Sequence, residues 1–359
     1  MIETNIELTK IAYYLDDKSP LNGGARPLIN WAKAMPNNSI LITKSDLPGL
    51  GIENFEIIRP LKDAKEIVRN YNYLVVSDNN LRSGIKLTKK TGSKLVVYCQ
   101  VPFGLHALGV QGQSDGFLEK IIFSVIKFIP FRLLSLKYRT RLKKADLILS
   151  NSLSLNALLN FVYGISESGV VYPPVDSIKF LPKKNVKKNS ILVFVGRDGD
   201  LNELNALGII NDICIEFNTR AYIFGSARVP SYILKKLSEF KVFHNITDEQ
   251  LIEAYNNSFV TISLQKQEYF GYVPIESLLC GTPAITFYNH DAAIIDSFSK
   301  KYLKHSNLSS LKHDIVHFMK SENIDDLLIN RKYLAETYSA NNFYFALLKK
   351  FPLDSVHIP

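Results

Sequence analysis

The sequence predicts an α/β protein built as two parallel-sheet domains, and three observations carry that expectation. Short β-branched and aromatic runs recur in both halves, helical patterns separate several of them, and one polar, basic stretch divides the halves. Strands that alternate with helical crossovers are the pattern of a parallel sheet. At 359 residues the chain also exceeds what one core usually supports, so two domains of roughly 150 to 180 residues are expected.

The strands of the first half are "KIAYYL" (10–15), "ILIT" (40–43), "YLVVSD" (73–78), "KLVVYC" (94–99) and "DLILSN" (146–151). After "VVYPPVD" (170–176) comes "KFLPKKNVKKNS" (179–190), whose polarity and Pro182 mark a linker. Strands resume with "SILVFVGR" (190–197), "RAYIFG" (220–225), "KVFHNI" (241–246), "FVTISL" (259–264) and "AITFY" (284–288). Beyond about residue 307 the pattern is helical, and Ser339 suits the N-cap of a last amphipathic helix. The expected division is 1–175, a linker at 176–189, 190–335, and a C-terminal helix in 336–359 that packs back on the first domain. A cleft between two such domains is the expected ligand site, because open sheets bind ligands beyond their strand carboxyl ends.

Hydrophobic residues make up 46% and charged residues 21%, which fits a folded chain and excludes long disorder. A net charge of +9 suits anionic partners: nucleotide phosphates, phospholipid headgroups or nucleic acid. No nucleic-acid-binding motif accompanies it, so no nucleic-acid partner is expected. Cys99, Cys214 and Cys280 have neither metal-type nor CxxC spacing, which argues against a zinc site and a disulfide framework and for a reducing, cytoplasmic setting. The first residues lack a signal-peptide pattern, and no run reaches the length of a spanning helix.

The chemistry concentrates in "QEYFGYVPIESLLCGTPAITF" (267–287), a loop, a short helix and the start of a strand. Pro274 suits a first helical turn, Gly281 the residue just past the end, and Pro283 stops continuation, so a helix over 274–280 is expected. Its N-terminus, entered through Gly271, offers backbone N–H groups and a positive dipole end to a phosphate. Glu276 is expected in the first turn, where a carboxylate can hold a ribose diol, and Glu268 in the loop, facing a sugar. The plainer alternative makes Glu276 a complement to the helix dipole and Glu268 a solvated loop residue.

"EYFGYVPIESLLCGTPAIT" resembles the signature of retaining GT-B glycosyltransferases of the family-four type: Glu, Phe-Gly, a second Glu eight positions on, then Cys-Gly-Thr-Pro before a strand. The resemblance implies the GT-B fold, two Rossmann-like domains facing across a cleft with a C-terminal helical segment. It implies that Glu268 contacts the donor sugar near the reacting carbon and that Glu276 holds the ribose, with Gly271, Tyr272 and Val273 also on the donor side; Lys266 or another base is expected to stand in for the family's Lys that is missing after Arg197. "NGGARPLINWAKAM" (22–35) resembles the family's glycine-rich loop, with Gly23 and Gly24 beside the donor phosphate, and "FVGR" (194–197) the strand end whose Arg, here Arg197, grips the diphosphate. Two departures stand out. No Lys follows Arg197 in "GRDGDLNEL", and "VVYCQVPFG" (96–104) resembles the Tyr-Cys-His-x-Pro stretch of lipid-linked oligosaccharide mannosyltransferases with Gln100 in the His position. Gln100 can bond a sugar hydroxyl but carries no proton, and His106 lies nearby as a second acceptor-side residue.

Residues 117–146 alternate large apolar side chains with eight Lys and Arg, a pattern that suits peripheral contact with a lipid surface and equally an ordinary core helix with a basic face. The expected activity is transfer of a hexose from a nucleoside-diphosphate sugar to a glycan or polyprenyl-linked acceptor at the cytoplasmic membrane face, with retention and with no metal or other cofactor. The alternatives are a nucleotide-sugar epimerase or phosphorylase on the same fold, since fold does not fix reaction, and a non-catalytic binding subunit.

Overall fold

The computed structural model describes residues 10–15, 26–34, 39–43, 56–58, 64–89, 91–100, 131–166, 168–184, 186–195, 201–225, 234–235, 237–243, 246–265, 268–287, 302–321 and 325–350. The chain forms two compact units. The first runs to Pro174 and takes the chain back at Tyr338, and the second holds Val175–Thr337.

In the first unit the elements are β1 (Ile11–Leu15), α1 (Arg26–Ala34), β2 (Ser39–Thr43), β3 (Glu56–Ile58), α2 (Ala64–Val68), β4 (Tyr73–Ser77), α3 (Leu81–Thr88), β5 (Lys94–Cys99), α4 (Phe131–Leu142), β6 (Leu147–Ser150), α5 (Leu153–Tyr163) and β7 (Gly169–Val170). The second unit contains β8 (Ser190–Val195), α6 (Leu201–Glu216), β9 (Arg220–Gly225), β10 (Phe240–Val242), α7 (Asp248–Asn257), β11 (Ser258–Ser263), α8 (Tyr272–Leu279), β12 (Ala284–Thr286), β13 (Leu303–His305), α9 (Leu311–Lys320) and α10 (Asp325–Thr337). α11 (Ala340–Leu348) returns to the first unit.

The sheets run β3-β2-β1-β4-β5-β6-β7 and β10-β9-β8-β11-β12-β13, every pairing parallel. Each is a doubly wound sheet whose strand order reverses once, at β1/β4 and at β8/β11. The two α/β domains expected from the strand pattern are therefore present. β1 and β4 are buried at every position, which is why they read as unbroken apolar runs and not as alternating ones.

Helix ends follow local chemistry. The Ser152 hydroxyl accepts the Leu155 N–H to start α5, and Gly164 ends it at φ 62°. Thr247 and Gln250 exchange side-chain and backbone bonds as a capping box on α7. Ser339 caps α11 through the Asn342 N–H, as its place in the sequence implies.

α11 packs on α1, and Trp31 is the reason. Its fully buried ring meets Tyr13, Tyr98 and Phe343 edge-on, with centroids at 5.8, 5.4 and 5.5 Å. One indole thus joins β1, β5 and the last helix in a single core. In the second unit Ile191, Val193, Ile223, Val260 and Ile262 of the sheet pack with Ile210 and Ile213 of α6 and Ile315 and Phe318 of α9.

The stretch at 179–190 is bonded along its length to the second unit. The Lys183 N–H donates to Asn256 Oδ1 at 2.6 Å, and Asn256 Nδ2 donates to the Leu181 carbonyl. The Lys188 ammonium donates to the Ser258 carbonyl (2.9 Å), Thr282 Oγ1 (2.8 Å) and the Gly281 carbonyl (3.4 Å). Burial lowers this amine to about 8.

Replacing Trp31 with Ala removes the shared ring of the first core and is expected to cost about 3–5 kcal/mol, read as a lower urea midpoint. Lys188 gives a pH signature. Between about 8 and its unfolded value of 10.5, the unfolded chain holds the Lys188 proton that the native chain has released, so the lysine's contribution to stability rises with pH. The stability difference between wild type and Lys188→Met is expected to grow by up to about 3 kcal/mol across that window, and parallel urea curves at pH 7.5 and 10 would refute it.

Candidate active site

In the second unit β8 and β11 lie side by side at the reversal of strand order, with Phe194 paired to Ser263 and the Leu264 N–H bonded to the Phe194 carbonyl at 3.0 Å. Loops that leave a parallel sheet at such a point go to helices on opposite faces and open a crevice between them. The segment leaving β11 carries Glu268 and Gly271 and enters α8.

Gly271 stands at the N-cap of α8 with φ 75° and ψ 80°, a left-handed conformation that costs a side-chain-bearing residue roughly 1–2 kcal/mol. Glycine brings no capping oxygen, so no side chain of the N-cap residue meets the first N–H groups of the helix. Phe270 and Tyr272 flank it with rings 4.9 Å apart, edge to face. Tyr272 and Val273 are half-buried in the first turn.

α8 begins at Tyr272, two residues before the expected start at Pro274. Proline has no N–H to donate, and the first four helical N–H positions have no intrahelical acceptor, so the third helical position suits it as well as the first. The consequence is that Glu276 falls in the second turn, not the first. It is 1% exposed, and its Oε2 accepts the Tyr255 hydroxyl at 3.0 Å. Glu268 is half-buried, and its Oε1 accepts the N–H groups of Tyr269 (3.0 Å) and Phe270 (3.3 Å), so the carboxylate braces its own loop. Burial, with the Glu268 charge adding to it, raises the Tyr269 phenol.

The back of α8 is fastened. Ser277 Oγ bonds Thr261 Oγ1 (2.8 Å) on β11 and the Thr282 carbonyl (2.9 Å), while Arg331 Nε donates to the Leu279 carbonyl (3.0 Å) and its Nη2 to that of Ser177 (2.7 Å). Gly281, at φ 76°, closes the helix as its sequence position implies. Burial first, then the Glu276 carboxylate, pushes the Cys280 thiol up to about 12, so it stays protonated and unreactive.

The structure thus brings Glu268, Gly271, Tyr272, Val273 and Glu276 to one end of β11. Gln100 sits in the first unit just after β5, buried, its N–H donating to Asp78 Oδ1 at 3.4 Å. Arg197, Lys266, Gly23, Gly24, His106 and residues 117–130 lie outside the described residues. Tyr255 is the partner that sequence reasoning misses. Its only local signal is its place four residues after Leu251 on the buried face of α7, and that marks core, not a carboxylate contact. No group of three or more His, Cys, Asp or Glu that could hold a metal occurs among the described residues. No helix among them is long and apolar enough to cross a membrane.

No known protein-family profile matches the chain. Over 158 residues it is 27% identical to a protein of Burkholderia thailandensis described as a probable transglycosylase, a stretch covering 41% of this chain and 42% of that one. Among solved structures it resembles Anabaena HepE in complex with UDP-glucose, with TM-score 0.70, 13% identity and coverage of 95% and 98% of the two chains. It also resembles sucrose-phosphate synthase of Thermosynechococcus elongatus (TM-score 0.65, 14% identity, 95% and 98%) and a glycosyltransferase of Rickettsia africae (TM-score 0.65, 15% identity, 95% and 97%). These likenesses show the fold, the GT-B arrangement of two Rossmann-like domains.

Tyr255→Phe keeps the ring and removes one donor to the buried Glu276 carboxyl. It is expected to lower stability by about 1–3 kcal/mol, measured by chemical unfolding, and an unchanged midpoint would show that the contact carries nothing.

Proposed function

We propose that the protein is a glycosyltransferase that moves a hexose from a nucleoside-diphosphate sugar to a hydroxyl of a glycan or polyprenyl-linked glycan, with retention at the anomeric carbon. The observation that carries this is α8: a helix N-terminus entered through a left-handed glycine, at the reversal of a doubly wound sheet, with Glu268 before it and the buried Glu276 within it. The sharing of the fold with a chain solved in complex with UDP-glucose supports a nucleotide-sugar donor, and the partial relative described as a transglycosylase supports glycan chemistry.

In this reading the N–H groups opening α8 and the Arg197 guanidinium stabilise the diphosphate as the glycosidic bond to it breaks, where preorganised dipoles act most strongly. Lys266, Gly23 and Gly24 complete the donor phosphate site, and Tyr272 and Val273 line the turn against which the donor lies. Glu276, its carboxyl oriented by Tyr255, holds the ribose. Glu268, fixed by its own loop, orients the hexose and steadies the oxocarbenium-like charge. Gln100 and His106 serve the acceptor, and no step in the scheme uses a metal. Residues 117–146 rest on the cytoplasmic face of a membrane, a role supported by Lys137, Lys143 and Lys144, exposed on and just after α4.

The test is a thermal-shift screen of the full chain with UDP-glucose, UDP-N-acetylglucosamine and GDP-mannose. A ligand at 100 times its Kd stabilises the fold by about 2.7 kcal/mol, so at least one is expected to raise Tm clearly. Glu276→Gln, of equal size, is expected to weaken that ligand about tenfold or more. A flat response to all three donors would overturn the proposal.

A further inference from the structure

α9 carries none of the residues assigned to the donor, and its outer face holds a grouping of another kind. His313 and His317 stand one turn apart on it, both exposed, with ring planes 19° from parallel and centroids 6.5 Å apart. Side chains at i and i+4 are neighbours on a helix face, so the two rings border the same space.

Each ring is held by what lies beneath it. His313 Nδ1 lies 3.4 Å from Asp314 Oδ1. The Asp314 side chain is 11% exposed and accepts the Lys304 ammonium at 3.1 Å. A carboxylate so engaged can only accept, so in the neutral ring the His313 proton sits on Nδ1 and Nε2 keeps its lone pair. An acceptor on one imidazole nitrogen is the arrangement that orients a metal-ligating histidine and raises its basicity. His317 meets the buried Phe318 ring edge-on at 5.4 Å, and the Lys304 ammonium lies 5.3 Å from the centroid of that same ring. The cations nearby are compensated: Lys304 is bonded to Asp314, and Lys312 to Glu216 at 2.7 Å. Lys320 is exposed at the helix end, where solvent screens its charge.

We infer that His313 and His317 bind one divalent transition-metal ion of the zinc, copper or nickel class. Imidazole nitrogen suits those ions, whereas magnesium and calcium take oxygen ligands, and Lys304 already occupies the carboxylate beside the pair. Metal bonds of about 2.0–2.1 Å to each nitrogen draw the rings about an ångström closer than they stand, a rotation open to exposed side chains. Two protein ligands leave the remaining coordination positions to water. "HDIVH" (313–317) has the histidine spacing of the H-E-x-x-H zinc helix. Its acid, Asp314, is turned to Lys304 and not to a metal-bound water, so the site is assigned binding and no hydrolytic chemistry.

The experiment is calorimetric titration of the untagged full chain with zinc chloride at pH 7.5, in a buffer that does not coordinate metal, with magnesium chloride in parallel. Zinc is expected to bind and magnesium is not. His313→Ala and His317→Ala each remove one of the two protein ligands and are expected to weaken the zinc site at least about tenfold. Both positions are exposed, so both variants are expected to fold as the wild type does, which thermal unfolding without metal checks. Absence of zinc binding by the wild type, or undiminished zinc binding by the two folded variants, would overturn the inference. Magnesium that displaces zinc would overturn the assignment to nitrogen ligands.

Discussion

A parallel sheet puts the carboxyl ends of all its strands on one edge, and the candidate site rests on that constraint. Both sheets carry the same winding, outward from a central pair in each direction, and right-handed crossovers place the helices of the two directions on opposite faces. Where the directions part, neighbouring strand ends lead away from each other and leave the edge open. Glu268 and α8 follow β11 at that point in one unit, and Asp78 follows β4 at that point in the other.

What the second unit adds is a rigid helix end. Eight residues do not make a stable helix on propensity alone, so α8 depends on its attachments: Ser277 to Thr261, Lys188 across Ser258 and Thr282, and Arg331 to Leu279. All of these grip the back or the C-terminal end. The N-terminal turn is left to Gly271, which brings the chain in without a capping side chain. An anion arriving there meets dipoles already oriented, which is the condition for electrostatic stabilisation without reorganisation.

The two edges are chemically unlike. At α8 the features are a helix N-terminus and two carboxylates, one braced by a phenol and the other by loop N–H groups. At β4–β6 they are the buried Asp78 carboxyl and the Gln100 and Asn151 amides, with the Tyr138 phenol and the Cys99 thiol, which burial keeps protonated. Cys214 and Cys280, held at about 12 by burial, add no reactivity to either edge.

The strands were legible because a buried parallel strand must be apolar at nearly every position, and β1, β4, β5 and β8 are. The turn chemistry around α8 was legible too, since Gly271, Gly281 and Pro283 act through their own backbone, as was the cap at Ser339. The start of α8 was read two residues late because a proline fits several positions of a first turn, and that displaced Glu276 by a turn. The sequence by itself determined local periodicity, caps and the identity of the carboxylates. Only the tertiary structure decided that Glu276 would meet Tyr255, that Trp31 would meet Phe343 edge-on, that Lys188 would be half-buried against the Ser258 carbonyl and Thr282, and that the Gln100 N–H would reach Asp78. Those contacts join residues far apart along the chain, and the winding of the sheets, which no local pattern encodes, is what brings them within bonding distance.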